Sequence, residues 1–130
     1  MFQKKVTIRR ASSLKDVRRI PFEAIAKAIL GTKYELSLVI CGDELARRMN
    51  KEYRKKTYAP NVLSFPLSKT EGEIFLNVPK AAREAAQYKH TVKAHLAYLF
   101  IHGCFHLKGL DHGNAMERQE AKLMKKFKFA

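Results

Sequence analysis

The segment HGCFHLKGLDH, residues 102–112, constrains this chain more than any other stretch, because it holds three of the five histidines within eleven residues, with Gly109 between the second and the third. On a helix, His102 and His106 are four residues apart. At about 100° per residue they project from one face a turn apart, close enough to share one metal ion. His112 cannot join them on a continuous helix, since six further residues rotate it about 240° away. The helix therefore has to stop, and Gly109 is where a stop with the chain doubling back is easiest, because glycine enters the left-handed region freely. The spacing predicts a helix ending near Lys108, with His112 returned beside its last turn.

Three neutral imidazoles with a fourth position left to solvent describe an open, catalytic zinc site rather than a closed structural one. Nickel or another borderline divalent metal suits the same donors. Cys104 lies two residues from each helical histidine and points about 160–200° away from them, so it reads as core and not as a fourth ligand. With Cys41 it makes two cysteines, too few for a disulfide scaffold and ordinary for small core positions. His95 shares the face of His102 but sits about 10 Å earlier along the axis, beyond reach of the same ion. It either supports the ligands from the cleft wall or is plainly structural. Asp111 either orients a ligand by hydrogen bonding or caps the turn. His90 reads as a loop residue without a role. Gly103 stands where an H-E-x-x-H zinc protease carries its general-base glutamate, which removes the main support for peptidase chemistry.

Charge supplies the second constraint. The 130 residues hold 26 Lys plus Arg against 12 Asp plus Glu, a formal charge of +14 with a pI near 10.0. Small domains usually stay within about 2 to 8 units, so the surplus points to a polyanionic partner, nucleic acid first. It is also clustered: Arg47, Arg48, Lys51, Arg54, Lys55 and Lys56 fall close together, and Lys122, Lys125, Lys126 and Lys128 crowd the end. The longest apolar run, Leu96 to Ile101, is far short of the roughly 18 to 20 residues of a membrane span. The basic start lacks the apolar region of a secretory signal, so the expected compartment is the cytoplasm.

No repeat or Gly/Ser-rich linker divides the chain, and one domain over residues 1–130 is expected. Strand patterns cover Gln3 to Ile8, Tyr34 to Cys41, Asn61 to Phe65 and Gly72 to Val78, with the last two close enough for a hairpin. Helical patterns cover Ser13 to Leu30, interrupted at Pro21, then a helix opening at an Asp43 cap with Leu45, Met49 and Tyr53 as its buried stripe. Helices over Lys80 to Tyr88, over Thr91 to Lys108 and from Asn114 to Phe127 follow. The class is α+β, with one small mixed sheet of about four strands and the metal site on the central helix and its following loop.

These residues resemble the YbeY family of bacterial rRNA-maturation endoribonucleases. HGCFHLKGLDH looks like that family's H-G-x-L-H-L-x-G-Y-D-H, NKEYRKKTYAPNVLSFP resembles its N-x-x-Y-R stretch leading into N/D-V-L-S-F-P, and GEIFLN resembles its G-D-I strand. Phe105, Leu110 and Glu73 depart from the usual Leu, Tyr and Asp and leave the three histidines untouched. The resemblance implies zinc on His102, His106 and His112, and Arg54 as the basic residue on which RNA processing depends. It further implies that Asn61 to Phe65, with Asn61 and Ser64, line the cleft. Single-stranded RNA near the 3′ end of small-subunit rRNA is the implied substrate, with the small ribosomal subunit and its assembly factors as partners in quality control. Arg47, Arg48, Lys51, Lys55 and Lys56 are then expected to position the RNA backbone, and Tyr53 and Tyr58 are the aromatic candidates for base stacking. Two other readings compete: an RNA-binding assembly module with a non-catalytic zinc, which the missing fourth ligand opposes, and a zinc peptidase.

Overall fold

A computed structural model describes residues 6–10, 17 and 19–129, and for residues 6–10 it describes the backbone. The expected segments Gln3–Lys5 and Ser13–Asp16 lie outside it. Its elements run β1 (Val6–Arg10), α1 (Phe22–Leu30), β2 (Glu35–Cys41), α2 (Asp43–Arg54), β3 (Val62–Ser68), β4 (Glu71–Asn77), α3 (Val78–Ala85), α4 (Val92–Lys108) and α5 (Asn114–Lys126). The sheet order is β1-β2-β4-β3. β1 and β4 pair parallel to β2, and β3 returns antiparallel to β4 as the anticipated hairpin.

β2 is the reason helices flank both sides of the sheet. Leu36, Leu38 and Ile40 alternate with Val39 and Cys41, and all five are buried, so neither face can be left to water. On the first face Leu38, Ile40, Ile74 and Leu76 meet α1 and α4, where Phe22 packs edge-on against Phe100 at 4.8 Å between ring centroids. Met116 and Leu123 of α5 close the same core. Cys104 is fully buried there, and burial pushes its thiol up, as burial pushes Cys41 up to about 11. Both cysteines are core residues, as their type predicts.

The second face is covered by α2, and here two expectations need correction. Ala46 and Asn50 are the buried residues, Leu45 and Met49 are half-buried, and Tyr53 is 60% exposed, resting on Phe65 at 5.4 Å between centroids. The contact stripe is rotated by one residue because the small Ala46 lets α2 sit close to Phe75 and Leu63. Nor is Asp43 the cap. Gly42 holds that place in extended conformation with no side-chain cap bond, and Asp43 is the first helical residue.

What occupies Asp43 is Asn77, a fully buried residue at the end of β4. Its Nδ2 donates to Asp43 Oδ1 at 2.8 Å and to Pro60 O at 3.1 Å, and its Oδ1 accepts from the Lys80 amide, capping α3. The Asn77 bond, with the Arg83 guanidinium at 2.9 and 3.0 Å, holds the Asp43 carboxyl below its ordinary range. One amide thus ties β4, α2, α3 and the loop before β3 together. Asn50 adds a bond from Nδ2 to Tyr58 O at 3.0 Å, and Lys80 Nζ donates to Ala59 O at 2.5 Å.

α4 reaches the sheet through Gly103. A Cβ there would stand 2.9 Å from Ser64 Oγ, 3.2 Å from Ile74 Cδ1 and 3.4 Å from Val62 Cγ2. The Ser64 hydroxyl donates to the Gly103 carbonyl at 3.1 Å, so the close approach is also a bond. Gly103→Ala is expected to destabilise the protein by about 1–3 kcal/mol through overpacking, read as a lower urea midpoint with unchanged slope; an unchanged midpoint would show that helix and strand have room to part.

Candidate metal centre and cleft

α4 begins under a Thr91 cap whose side chain accepts from the Ala94 amide at 3.0 Å, and it ends where the histidine spacing requires. Gly109 has φ +102°, its amide bonds to His106 O, and the Leu110 amide bonds to Phe105 O, both at 3.0 Å. This pair of bonds is a Schellman stop, and Leu110, partly buried, packs against the core to which Phe105 belongs. The reversed chain brings His112 back. Its ring centroid lies 5.0 Å from that of His102 and 4.6 Å from that of His106, which are themselves 4.5 Å apart.

The three histidines offer one ring nitrogen each, all within 4.8 Å of one another. Nε2 of His102 and Nε2 of His106 face each other at 3.0 Å. His102 donates Nδ1–H to Glu120 Oε2 at 2.5 Å, which leaves its Nε2 lone pair aimed into the cluster. Burial first, then His102 and His112, holds the His106 pKa below its ordinary value, so that ring stays in the neutral, ligating form. Converging imidazole lone pairs backed by a carboxylate are a donor set that fits a divalent metal. Among the described residues the group comprises these three histidines and no fourth residue.

Glu120 was not evident in the sequence, though a signal was present: a glutamate within the apolar face Met116, Leu123 and Met124 of α5. It is 3% exposed, and an ionised carboxylate is rarely that buried without a partner. Glu84 plays a parallel part. Its Oε1 accepts from His95 Nε2–H at 3.2 Å and from Asn61 Nδ2 at 3.0 Å, fixing both residues. Asp111 is exposed, and its charge raises the pKa of His106 against the larger effects.

The histidines stand in a cleft of about 860 Å³. Arg54, Asn61, Ser64 and His95 are among its lining residues, joined by Tyr58, Lys80, Tyr88, His90 and Tyr98, which sequence reasoning did not assign to a cleft, His90 having been given no role at all. Arg47, Arg48, Lys51, Lys55 and Lys56 are solvent-exposed and stand outside the lining. Four of them lie on exposed turns of α2 or, like Lys55, at its left-handed end, and Lys56 follows in the loop. Ser64 spends its hydroxyl proton on Gly103 O. No carboxylate appears among the described lining residues, and the packing at Gly103 leaves no room for a glutamate side chain.

Loss of Glu120 is expected to weaken metal binding more than folding. Glu120→Leu should lower affinity about 10–100-fold in a competition titration with a chelating dye, and Glu120→Gln, which still accepts from Nδ1–H, by less. Equal affinities across the three proteins would remove Glu120 from the site.

Comparison with known proteins identifies a family. The family model described as endoribonuclease YbeY matches residues 1–128. Similar proteins named endoribonuclease YbeY include one from Aromatoleum aromaticum, 38% identical over 88% of this chain and 79% of its own length. Another, from Methylobacillus flagellatus, is 41% identical over 79% of this chain and 69% of its own length. The solution structure of TM1509 from Thermotoga maritima shares the fold, with a TM-score of 0.69 at 21% identity over 94% of this chain and 88% of that one. A match along nearly the whole chain, at such identities and with the fold in common, places this protein in the YbeY family of endoribonucleases.

Proposed function

We propose that this chain, as one domain, is a metal-dependent endoribonuclease that cuts single-stranded RNA, with zinc held by His102, His106 and His112. Its place is in the cytoplasm, maturing the 3′ end of small-subunit rRNA and serving ribosome quality control beside the small subunit and its assembly factors. No described helix is long and apolar enough to cross a membrane. The observation that carries the reading is the convergence of three imidazoles in a cleft lined by Arg54 and Lys80 and, among the described residues, by no carboxylate. Arg54 and Lys80 attract a phosphodiester into such a cleft, whereas hydrolysis of a peptide bond would lack a carboxylate base in the lining such as zinc proteases use.

Zinc, when bound, supplies Lewis acidity toward a phosphoryl oxygen and the attacking water. The protein supplies the rest. Glu120 keeps the proton on His102 Nδ1 and fixes the ring so that Nε2 is the donor atom. Arg54, exposed in the last turn of α2, offers a planar fork of donors for a phosphate and stabilises the charge that gathers on it in the transition state. Lys80 adds a second positive charge and is held by Ala59 O. The exposed basic residues of α2 act over longer range, raising the local concentration of RNA in a salt-dependent way.

Purified protein with measured metal content should cleave single-stranded RNA, and His106→Ala should lose both metal and cleavage. Arg54→Glu should keep its metal and lose about 10²–10³-fold in kcat/KM, the cost of removing one preorganised charge partner. Unchanged cleavage by both variants would refute the assignment, and tight RNA binding without cleavage by the metal-loaded parent would leave only a docking role.

A further inference from the structure

A column of aromatic rings leads away from the metal ligands along α4. Tyr98 lies 6.1 Å from His102 between centroids with 31° between planes, His95 lies 6.2 Å from Tyr98 at 22°, and Tyr88 lies 5.3 Å from His95 at 17°. All four residues line the cleft. The column is anchored in the middle, because His95 is 3% exposed and its Nε2–H is held by Glu84. It is open at its far end, where Tyr88 is 60% exposed.

An exposed tyrosine ring is not in itself informative, but the backbone under this one is fixed. α3 ends in a tight stop in which the Lys89 amide bonds to Ala86 O and the His90 amide to Ala85 O, while the Tyr88 amide reaches Glu84 O and Ala85 O. Lys89 adopts φ +55°, a left-handed conformation that lysine rarely takes and that glycine or asparagine would adopt more cheaply. Within this reversal the Tyr88 ring lies flat against His95. A second exposed tyrosine of the lining, Tyr58, is held by the Asn50 bond to its carbonyl and carries the Lys80 ammonium 5.7 Å from its ring centroid.

We infer that Tyr88, backed by His95, is a stacking platform for a nucleobase of single-stranded RNA, with Tyr58 from the α2–β3 loop and Lys80 from α3 meeting the same strand. The inference rests on the RNA reading above and adds to it the residue that holds the strand away from the cut. A fixed aromatic face beside a cation suits unpaired bases, which carry a π-face and a phosphate at every step, and a duplex hides those faces. His95 stands seven residues before His102, roughly 10 Å along the helix, and Tyr88 lies beyond it. The base on Tyr88 therefore belongs to a nucleotide other than the one whose phosphodiester is hydrolysed. Tyr88 is a positioning residue: it strengthens binding of substrates long enough to reach it and leaves the chemical step alone.

The test uses metal-loaded protein and unstructured oligoribonucleotides of graded length. On a long strand Tyr88→Ala should raise KM about tenfold, in the range of base–aromatic stacking by alanine substitution, with kcat unchanged. Tyr88→Trp should restore KM. On a dinucleotide, too short to span from the metal site to Tyr88, the variant and parent should be indistinguishable. An unchanged KM on the long strand, or an equal loss on both lengths, overturns the inference while leaving the nuclease assignment standing. Where the parent itself fails to cleave, the nuclease reading falls, and equilibrium binding of the long strand decides the platform: weaker binding by Tyr88→Ala supports it and equal binding rejects it.

Discussion

The site depends on a helix ending one turn after its second histidine. Gly109 at φ +102° makes that ending, and the bond it forms is to the carbonyl of His106, so ligand and stop share a residue. Without the left-handed step α4 would carry His112 to the wrong side of the axis, and two imidazoles would remain in place of three. Leu110, where the family motif has tyrosine, adds an apolar side chain packed against the core at that stop. The departure is a packing choice, and the donor set is untouched by it.

Around that stop, two close contacts set where the cleft lies. Gly103 lets α4 touch β3 and holds Ser64 by a hydrogen bond, which brings the histidine face of α4 beside the strand that forms part of the cleft. Asn77 gathers Asp43, Pro60 and Lys80 at the other end, which fixes the loop after Arg54 and the start of α3. Both contacts lie in the packing rather than in the cleft, and both determine which side chains the cleft receives. The net charge of +14 then has a local meaning: Arg54 and Lys80 are in the lining, and the remaining α2 cations form an outer field.

Much of this was legible in the chain. The histidine spacing and Gly109 announced the three-histidine cluster because helical geometry relates near neighbours, and period-two and helical patterns marked the strands and helices of the sheet and its core. What stayed hidden was set by contacts between distant segments. Glu120 meets His102 across two helices, Glu84 joins Asn61 to His95, and Asn77 takes Asp43 out of a capping role its type suggested. Tyr53 looked like part of a buried stripe because a four-residue step is ambiguous by one position, and the small Ala46 decided the rotation. Tyr88 was expected in the last turn of a helix that stops at Ala85, and His90 follows in the turn after it.

An open metal site here requires three imidazole nitrogens, with His112 among them. X-ray absorption at the zinc edge of the zinc-loaded protein tests this directly. The expected spectrum is three imidazole nitrogens with one or two oxygen neighbours from solvent, at about 2.0–2.1 Å for Zn–N, and loss of one imidazole in His112→Ala. A sulfur neighbour, a fourth protein ligand, or an unchanged spectrum in His112→Ala would contradict it.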